Sequence, residues 1–295
     1  MSEYLKKIEK CCLSFKKNED MALHCSFKCG GRARFFCVPK NLSCFVKVLR
    51  YAALEGLKVF VLGKGSNTLF KKFNGIVIST QNLNKIKVKK NLVYAQCGVE
   101  FSKLSQLCLK SSLTGFEFAT GIPASIGGGI YNNAGAYGKE LCDVVKKVKV
   151  FDGKKCFWLD KEDMGFGYRN SIIQKKQLFV LSAILCLKNG DKVKIKNEMF
   201  DILQKRRDKQ PLNYPSAGSV FKRQGEIIPA KVIDNLGLKG FNINDAQISQ
   251  KHAGFIVNKK NAKVYDIEKL IKLIQQKVFE KEGIILETEI EIIGE

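Results

Sequence analysis

Histidine is almost absent from this sequence, which has only His24 and His252, and none of its cysteines stand in Cys-x-x-Cys spacing. Zinc sites draw on closely spaced Cys and His ligands, so neither a zinc site nor any other metal is expected. The 11 cysteines are odd in number and scattered. Cys25, Cys29, Cys37 and Cys44 lie fairly close together without a ligand spacing, and the set reads as reduced thiols of a cytosolic protein. An apolar N-terminal core is missing too: Glu3, Lys6, Lys7, Glu9 and Lys10 interrupt the first ten residues, so no secretory signal is expected. No fixed-period repeat or low-complexity tract occurs.

Arginine is scarce, limited to Arg32, Arg34, Arg50, Arg169, Arg206, Arg207 and Arg223. The net charge of +23 is therefore carried by lysine, and the lysines are spread along the whole chain. That distribution reads as a compositional bias, and no stacked-aromatic or recognition-helix motif accompanies it, so nucleic-acid binding is not expected. In so lysine-rich a chain an arginine marks a place where planar, two-pronged oxyanion binding is needed. The longest run without charge, Phe118 to Gly138, has the length of a membrane span but contains six glycines, Pro123, Asn132 and Asn133. A span is mainly apolar and helix-compatible, so this run reads as ordered loop and strand with backbone exposed for a ligand, and no membrane association is expected.

With 295 residues and 45% hydrophobic content, the chain can bury two or three modest domains. Helical spacing over Leu42–Leu54, with Asn41 or Ser43 as cap, is followed by a strand-like run at Lys58–Leu62, a glycine turn and a second strand over Gly75–Ser79, an α/β unit. Strands are expected at Asn91–Cys97, Val144–Asp152, Lys155–Leu159 and Leu178–Leu187, with a short helix from Ser102 to Lys110. Helices follow over Asn197–Arg207 and Ala230–Asn235, then a strand over Gly254–Asn258. Asp266 is expected to cap the clearest helix, Asp266–Glu282, which ends at Gly283. The last strand, Ile285–Ile293, would alternate so that Glu287, Glu289 and Glu291 share one face.

Two glycine-rich segments carry chemistry. Gly63-Lys64-Gly65-Ser66-Asn67 follows a strand directly, an arrangement that exposes backbone N–H groups to phosphate. Thr68 stands where the dinucleotide fingerprint needs its third glycine, and no P-loop lysine follows, so neither common nucleotide fold is supported. Alone, the turn is as readily a structural one. The second segment, Gly121-Ile122-Pro123-Ala124-Ser125-Ile126-Gly127-Gly128-Gly129, leads into Asn133-Ala134-Gly135-Ala136-Tyr137-Gly138. Its small side chains let a large flat ligand approach the main chain closely.

These segments resemble those of the UDP-N-acetylenolpyruvoylglucosamine reductase family. The likeness continues in order at Gly167-Tyr168-Arg169-Asn170-Ser171, Gln210-Pro211, Pro215-Ser216-Ala217-Gly218-Ser219-Val220-Phe221-Lys222, Gly237-Leu238-Lys239-Gly240, Lys251-His252-Ala253-Gly254-Phe255 and Leu286-Glu287-Thr288-Glu289. It covers essentially the whole chain and fits the shorter form of the family. It implies an α+β protein: a FAD-binding fold of the vanillyl-alcohol-oxidase type in two subdomains, residues 1–85 and 86–195, then an α/β substrate domain, residues 196–295. The implied activity is NADPH-dependent reduction of UDP-N-acetylglucosamine enolpyruvate to UDP-N-acetylmuramate, by a cytoplasmic monomer using FAD and NADPH.

The resemblance also assigns roles. Gly63, Lys64, Gly65, Ser66, Asn67, Gly121, Ile122, Pro123, Ser125, Gly127, Gly128, Asn133 and Gly135 would hold FAD. Ser219 would give a proton to the substrate carbon, while Arg169 and Glu289 would stabilise the enolate-like intermediate. Alternation alone does not choose Glu289 over Glu287 or Glu291; the family motif does. By charge and position, Lys222 and Arg223 suit the UDP diphosphate, and Arg206, Arg207 and Gln210 line the same cleft, with Tyr168 beside the substrate. His252 reads as structural. Gly129 stands where the family usually has Ala, Ala124 where it has Gly, Asn132 where it has Met, Arg223 where it often has Asn, and Gln224 where Pro often follows. The alternatives are another flavin oxidoreductase of the same superfamily and a non-enzymatic basic binding module.

Overall fold

The computed structural model describes residues 2–295. It divides into two compact units that follow space and not chain order. Unit 1 takes the residues up to Lys17, Phe35–Lys64 and Gly75–Lys205; unit 2 takes Asn18–Arg34, Gly65–Asn74 and Arg206–Glu295.

Unit 1 is built on two sheets. The first is four-stranded, in the order Cys12–Asp20, Arg32–Pro39, Phe73–Ser79, Lys58–Leu62. Its last two strands are parallel, paired from Lys58 with Gly75 to Leu62 with Ser79. A parallel pair needs a crossover, and a buried one reads as continuous apolar residues, as Val59–Leu62 and Ile76–Ile78 do. Helix Leu42–Leu54 precedes the strand Lys58–Leu62, its first turn fixed by the Asn41 side chain, which accepts from the Cys44 amide at 2.9 Å. Its buried stripe of Phe45, Val48, Leu49 and Ala52 has the helical spacing read from the sequence.

The second sheet has five strands, in the order Cys156–Asp160, Val145–Phe151, Phe179–Cys186, Leu92–Gln96, Ile86–Lys89, all antiparallel. One continuous apolar core runs under both sheets, from Leu5 and Ile8 through Phe45, Ile76, Val93, Phe101 and Val148 to Leu187.

Unit 2 holds a four-stranded antiparallel sheet in the order Ser216–Ser219, Phe255–Asn258, Ala246–Ile248, Asn242–Ile243. The amphipathic helix Val264–Glu282 buries Ile267, Leu270, Ile271, Ile274 and Val278 in a core that also contains Phe27, Leu69, Val220, Phe221 and Ile290. Burying five such side chains stabilises by roughly 1.5–3 kcal/mol each before chain entropy is counted.

Three local expectations differ from the structure. The helix begins at Val264, so Asp266 is not its cap. Asp266 lies one turn in, and its carboxylate reaches back to accept the Lys263 amide at 2.8 Å, half of a capping box. The uncharged run holds no strand before residue 135; Ile126–Tyr131 is instead a short helix whose Ser125 cap accepts from Gly128. The final strand covers only Glu291–Ile293. Thr288 bridges to Phe221, and the chain then changes partner to run parallel with Thr68–Phe70. Across the change of partner Leu286 and Ile290 are buried, while Glu287 is exposed and Glu289 and Glu291 are half-buried. Among the described residues no helix is long and apolar enough to cross a membrane.

Candidate active site

In unit 1 the two glycine-rich segments meet. A Cβ on Gly63 would overlap the hydroxyl of Ser125, so the turn after strand Lys58–Leu62 lies close against the residue that caps helix Ile126–Tyr131. Lys64 is tied to Glu100 at 2.7 Å, at the start of helix Phe101–Lys110. The amides at the head of the short helix are already used. Ile126 donates to Val99 at 2.8 Å, Gly127 to Cys97 at 2.7 Å and Gly129 to Ser125 at 2.7 Å. A Cβ on Gly127 would lie 3.1 Å from Cys97 Cβ, which places Gly127 as a packing glycine. Gly129, where the family usually has Ala, faces the Phe101 ring so closely that a methyl would overlap it; the aromatic side chain occupies the methyl's space.

What remains open is the approach to the main chain. Gly121, Pro123 and Gly128 are exposed and Ile122 is half-buried. The Thr120 hydroxyl just before them is buried without a hydrogen-bond partner. A buried polar atom left unpaired is costly unless a ligand or water satisfies it. Small residues, open backbone and an unpaired hydroxyl fit a large polar cofactor such as FAD.

Asn133 ties two parts of unit 1 together. It is fully buried (0% exposed), and its side chain donates to Glu140 at 2.8 Å and to the Gly167 carbonyl at 3.1 Å while accepting from the Cys142 amide at 2.9 Å. It thereby joins the second glycine-rich segment to the turn that carries Arg169. That turn is closed by reciprocal bonds between Gly167 and Asn170, both 3.1 Å. Arg169 itself has φ +52°, a left-handed conformation that costs a non-glycine residue roughly 1–2 kcal/mol and persists only where the surroundings enforce it. Here they do: Gln174 donates to the Arg169 carbonyl at 3.1 Å, and one guanidinium nitrogen donates to the Gly135 carbonyl at 3.2 Å. The guanidinium also lies over the Tyr168 ring, 4.9 Å from its centroid, and Tyr168 is 48% exposed. Gly135, Tyr168 and Arg169 thus form one assembly in unit 1.

In unit 2 the backbone brings Ser219 and Glu289 onto neighbouring segments. Ser219 ends strand Ser216–Ser219 opposite Phe255, beyond an irregularity in the register. The preceding Gly218 has φ +77° and open space where a Cβ would point, so the approach to Ser219 from that side is unobstructed. The Glu289 amide donates to the Val220 carbonyl at 2.7 Å, and the Lys222 amide to the Glu287 carbonyl at 2.9 Å. Lys222 also pairs with the Glu287 carboxylate at 3.5 Å. Asn67 donates from its side chain to the Glu289 carbonyl at 3.0 Å. Gly65, with φ +62°, is pressed against His24 and Cys25 and accepts from the Ser26 amide at 2.9 Å.

The remaining expected contacts are more dispersed. Arg223 is exposed, with Nε on the Gly225 carbonyl at 2.9 Å in a tight turn. The exposed Arg207 accepts at its carbonyl from the Lys251 ammonium, and Gln210 continues the same helix end by donating to Arg206 at 2.9 Å. His252 is structural in geometry. Its Nδ1 accepts from the Gly254 amide at 3.1 Å, its ring packs edge-on to Phe255, and burial pushes its pKa down. Sequence reasoning missed Ser26, which has no motif and joins the site only through contacts distant in sequence.

The fold of unit 1 and its open glycine-rich backbone define a flavin-binding protein, and a FAD binding domain family model matches residues 33–155. The model of the C-terminal domain of UDP-N-acetylenolpyruvoylglucosamine reductase matches residues 210–293. The reductase of that name from Fervidobacterium nodosum is 43% identical over 279 residues, 93% of this chain and 90% of the relative. The one from Clostridium tetani is 43% identical over 283 residues, 95% of this chain and 92% of the relative. The crystal structure of the reductase from Thermus caldophilus superposes with a TM-score of 0.81 at 28% identity, covering 95% of this chain and 98% of that one. A glucose dehydrogenase, Phl p 4.0202, shares the fold alone, with a TM-score of 0.53 at 14% identity over 75% of this chain and 52% of its own. The chain belongs to the UDP-N-acetylenolpyruvoylglucosamine reductase family.

Proposed function

We propose that this protein reduces UDP-N-acetylglucosamine enolpyruvate to UDP-N-acetylmuramate with NADPH, a step of peptidoglycan precursor synthesis, with Ser219, Glu289 and Arg169 as its catalytic residues. The observation that carries the assignment is the 2.7 Å bond from the Glu289 amide to the Val220 carbonyl. It sets a carboxylate segment beside the strand end that presents a serine hydroxyl.

The chemistry is balanced simply. The enolpyruvyl double bond gains one hydride and one proton, and NADPH leaves as NADP⁺. The exposed backbone at Gly121, Pro123 and Gly128 would hold FAD, which would supply the two-electron carrier between them. Hydride arriving at the terminal carbon of a double bond conjugated with a carboxylate leaves negative charge on the adjacent carbon and on that carboxylate. The fixed guanidinium of Arg169 answers that charge, and one such preorganised donor is worth roughly 3 kcal/mol in the transition state. The Ser219 hydroxyl donates its proton to the charged carbon. A hydroxyl is a poor acid at neutral pH, so it serves only where the acceptor is strongly basic, as this carbon is. The family motif assigns Glu289 to the same intermediate, and its backbone lies beside the Ser219 strand end.

Lys222, Arg223, Arg207 and Gln210 supply cationic and polar groups suited to a diphosphate, and Tyr168 presents an aromatic face beside Arg169. A nucleotide-linked substrate and unpaired thiols suit a cytoplasmic enzyme, and we read it as a monomer. The test is a visible spectrum of the purified protein, followed by NADPH oxidation with and without the enolpyruvyl substrate. A flavin spectrum with turnover only when substrate is present is expected. Ser219→Ala should then lower kcat by about 10²–10⁴-fold, the contribution of a positioned proton donor, without loss of flavin. Absence of flavin after FAD is added, or unchanged kcat in Ser219→Ala, would overturn the reading.

A further inference from the structure

We infer that Asn67 is a positioning residue for Ser219 and Glu289, acting through a closed ring of hydrogen bonds within unit 2; the inference rests on the roles given to those two residues above. The ring starts at Gly65, whose carbonyl accepts from the Ser26 amide at 2.9 Å. The Ser26 hydroxyl donates to the Ser216 carbonyl at 2.6 Å, at the other end of the strand that carries Ser219. Val220, next to Ser219, accepts from the Glu289 amide at 2.7 Å. Glu289 in turn accepts at its carbonyl from the Asn67 side chain at 3.0 Å. Two peptide bonds along the chain from Asn67 return to Gly65.

Asn67 holds its neighbour at two points. Its side-chain amide takes the Glu289 carbonyl, and its own carbonyl accepts from the Glu291 amide at 2.9 Å. Between those points Ile290 is sunk in the core at 3% exposure, so residues 289–291 have no slack. The Glu289 peptide is thus fixed on both sides, at its amide by the Ser219 strand and at its carbonyl by the glycine-rich turn. Whatever orders the turn orders the acid, and through Val220 the strand end that bears the serine. Ala at position 67 leaves the Glu289 carbonyl without its donor. Asp sets a carboxylate oxygen against that carbonyl and reverses the interaction.

The role predicts a divided kinetic effect. Ser219 and Glu289 act only when substrate is protonated, so the loss should fall on flavin reoxidation by substrate and spare flavin reduction by NADPH. The experiment is anaerobic stopped-flow on the holoenzyme and on Asn67→Ala and Asn67→Asp, following flavin absorbance in each half-reaction. FAD affinity by flavin fluorescence and hydrogen exchange of the peptide covering 286–293 are measured on the same proteins. Reoxidation is expected to slow by about 10- to 100-fold, the cost of a small misplacement of reacting groups, with reduction within a factor of about two. Exchange over 286–293 should quicken. Equal slowing of both halves, no slowing, or loss of FAD affinity alone would overturn the inference.

If the position 67 variants do not fold, Ser26→Ala opens the ring on its far side and is read by the same criteria. Wild-type flavin that substrate fails to reoxidise would overturn the functional reading and this inference together. Wild-type reoxidation with unaffected variants would overturn this inference alone.

Discussion

Replacing Gly65 by alanine probes the turn that joins the glycine-rich segment to unit 2. Two costs apply. The first is conformational: Gly65 has φ +62°, a region that costs an L-residue roughly 1–2 kcal/mol. The second is steric. The new Cβ would overlap the His24 carbonyl oxygen and lie 2.9 Å from Cys25 Cα. Both are backbone atoms, and the Ser26 amide bonded to the Gly65 carbonyl holds that backbone in place. Overpacking of this kind costs about 1–3 kcal/mol.

Gly283, which ends helix Val264–Glu282, separates the two costs, since it has φ +66° and open space where a Cβ would point. Gly283→Ala should therefore lose only the conformational part. Urea unfolding of both variants beside the wild type should place Gly65→Ala about 1–3 kcal/mol below Gly283→Ala. Gly65→Ala should also bind FAD more weakly, because relief of the overlap moves the turn. If the two variants unfold at the same urea concentration, the close approach of the turn to His24–Cys25 is wrong. If Gly65→Ala is destabilised but binds FAD normally, the turn is a structural element and not part of the cofactor site.

Arg169→Lys keeps the charge but loses the planar fork shared between Gly135 and the Tyr168 face. Its kcat should fall by about 10²–10³-fold, the loss seen for one oxyanion donor, and steady-state kinetics retaining wild-type kcat would contradict the assignment. His252 has a folded-state pKa held below its ordinary 6.5, chiefly by burial. The unfolded chain therefore binds the proton first, and stability present above pH ~6.5 is lost as pH falls through the folded value. Melting temperatures of wild type and His252→Asn measured from pH 8 to pH 5 should converge as the pH falls, and parallel curves would remove His252 as the titrating group.

The sequence by itself determined much of the local structure. Helix Leu42–Leu54 and strand Lys58–Leu62 were legible to the residue, because helical spacing, an Asn cap and a short β-rich run act over a few neighbouring residues. The buried face of Val264–Glu282 and its Gly283 stop were legible for the same reason. The ordered motifs also pointed to the family, since each marks a place where backbone or charge must meet a ligand.

Tertiary structure decided the rest. The division into units follows contacts between residues far apart in sequence, so Asn18–Arg34 and Gly65–Asn74 join the C-terminal unit although no local pattern separates them from their neighbours. The segment around Glu289 forms a shorter strand than expected because it serves two partners in turn, Phe221 and then the strand Thr68–Phe70. Asn67 looked like one more ligand-turn residue, yet its side chain is spent on Glu289, 222 positions away. Hydrogen bonds at that separation are set by packing, and periodicity, which records only a residue's immediate neighbours, carries no trace of them.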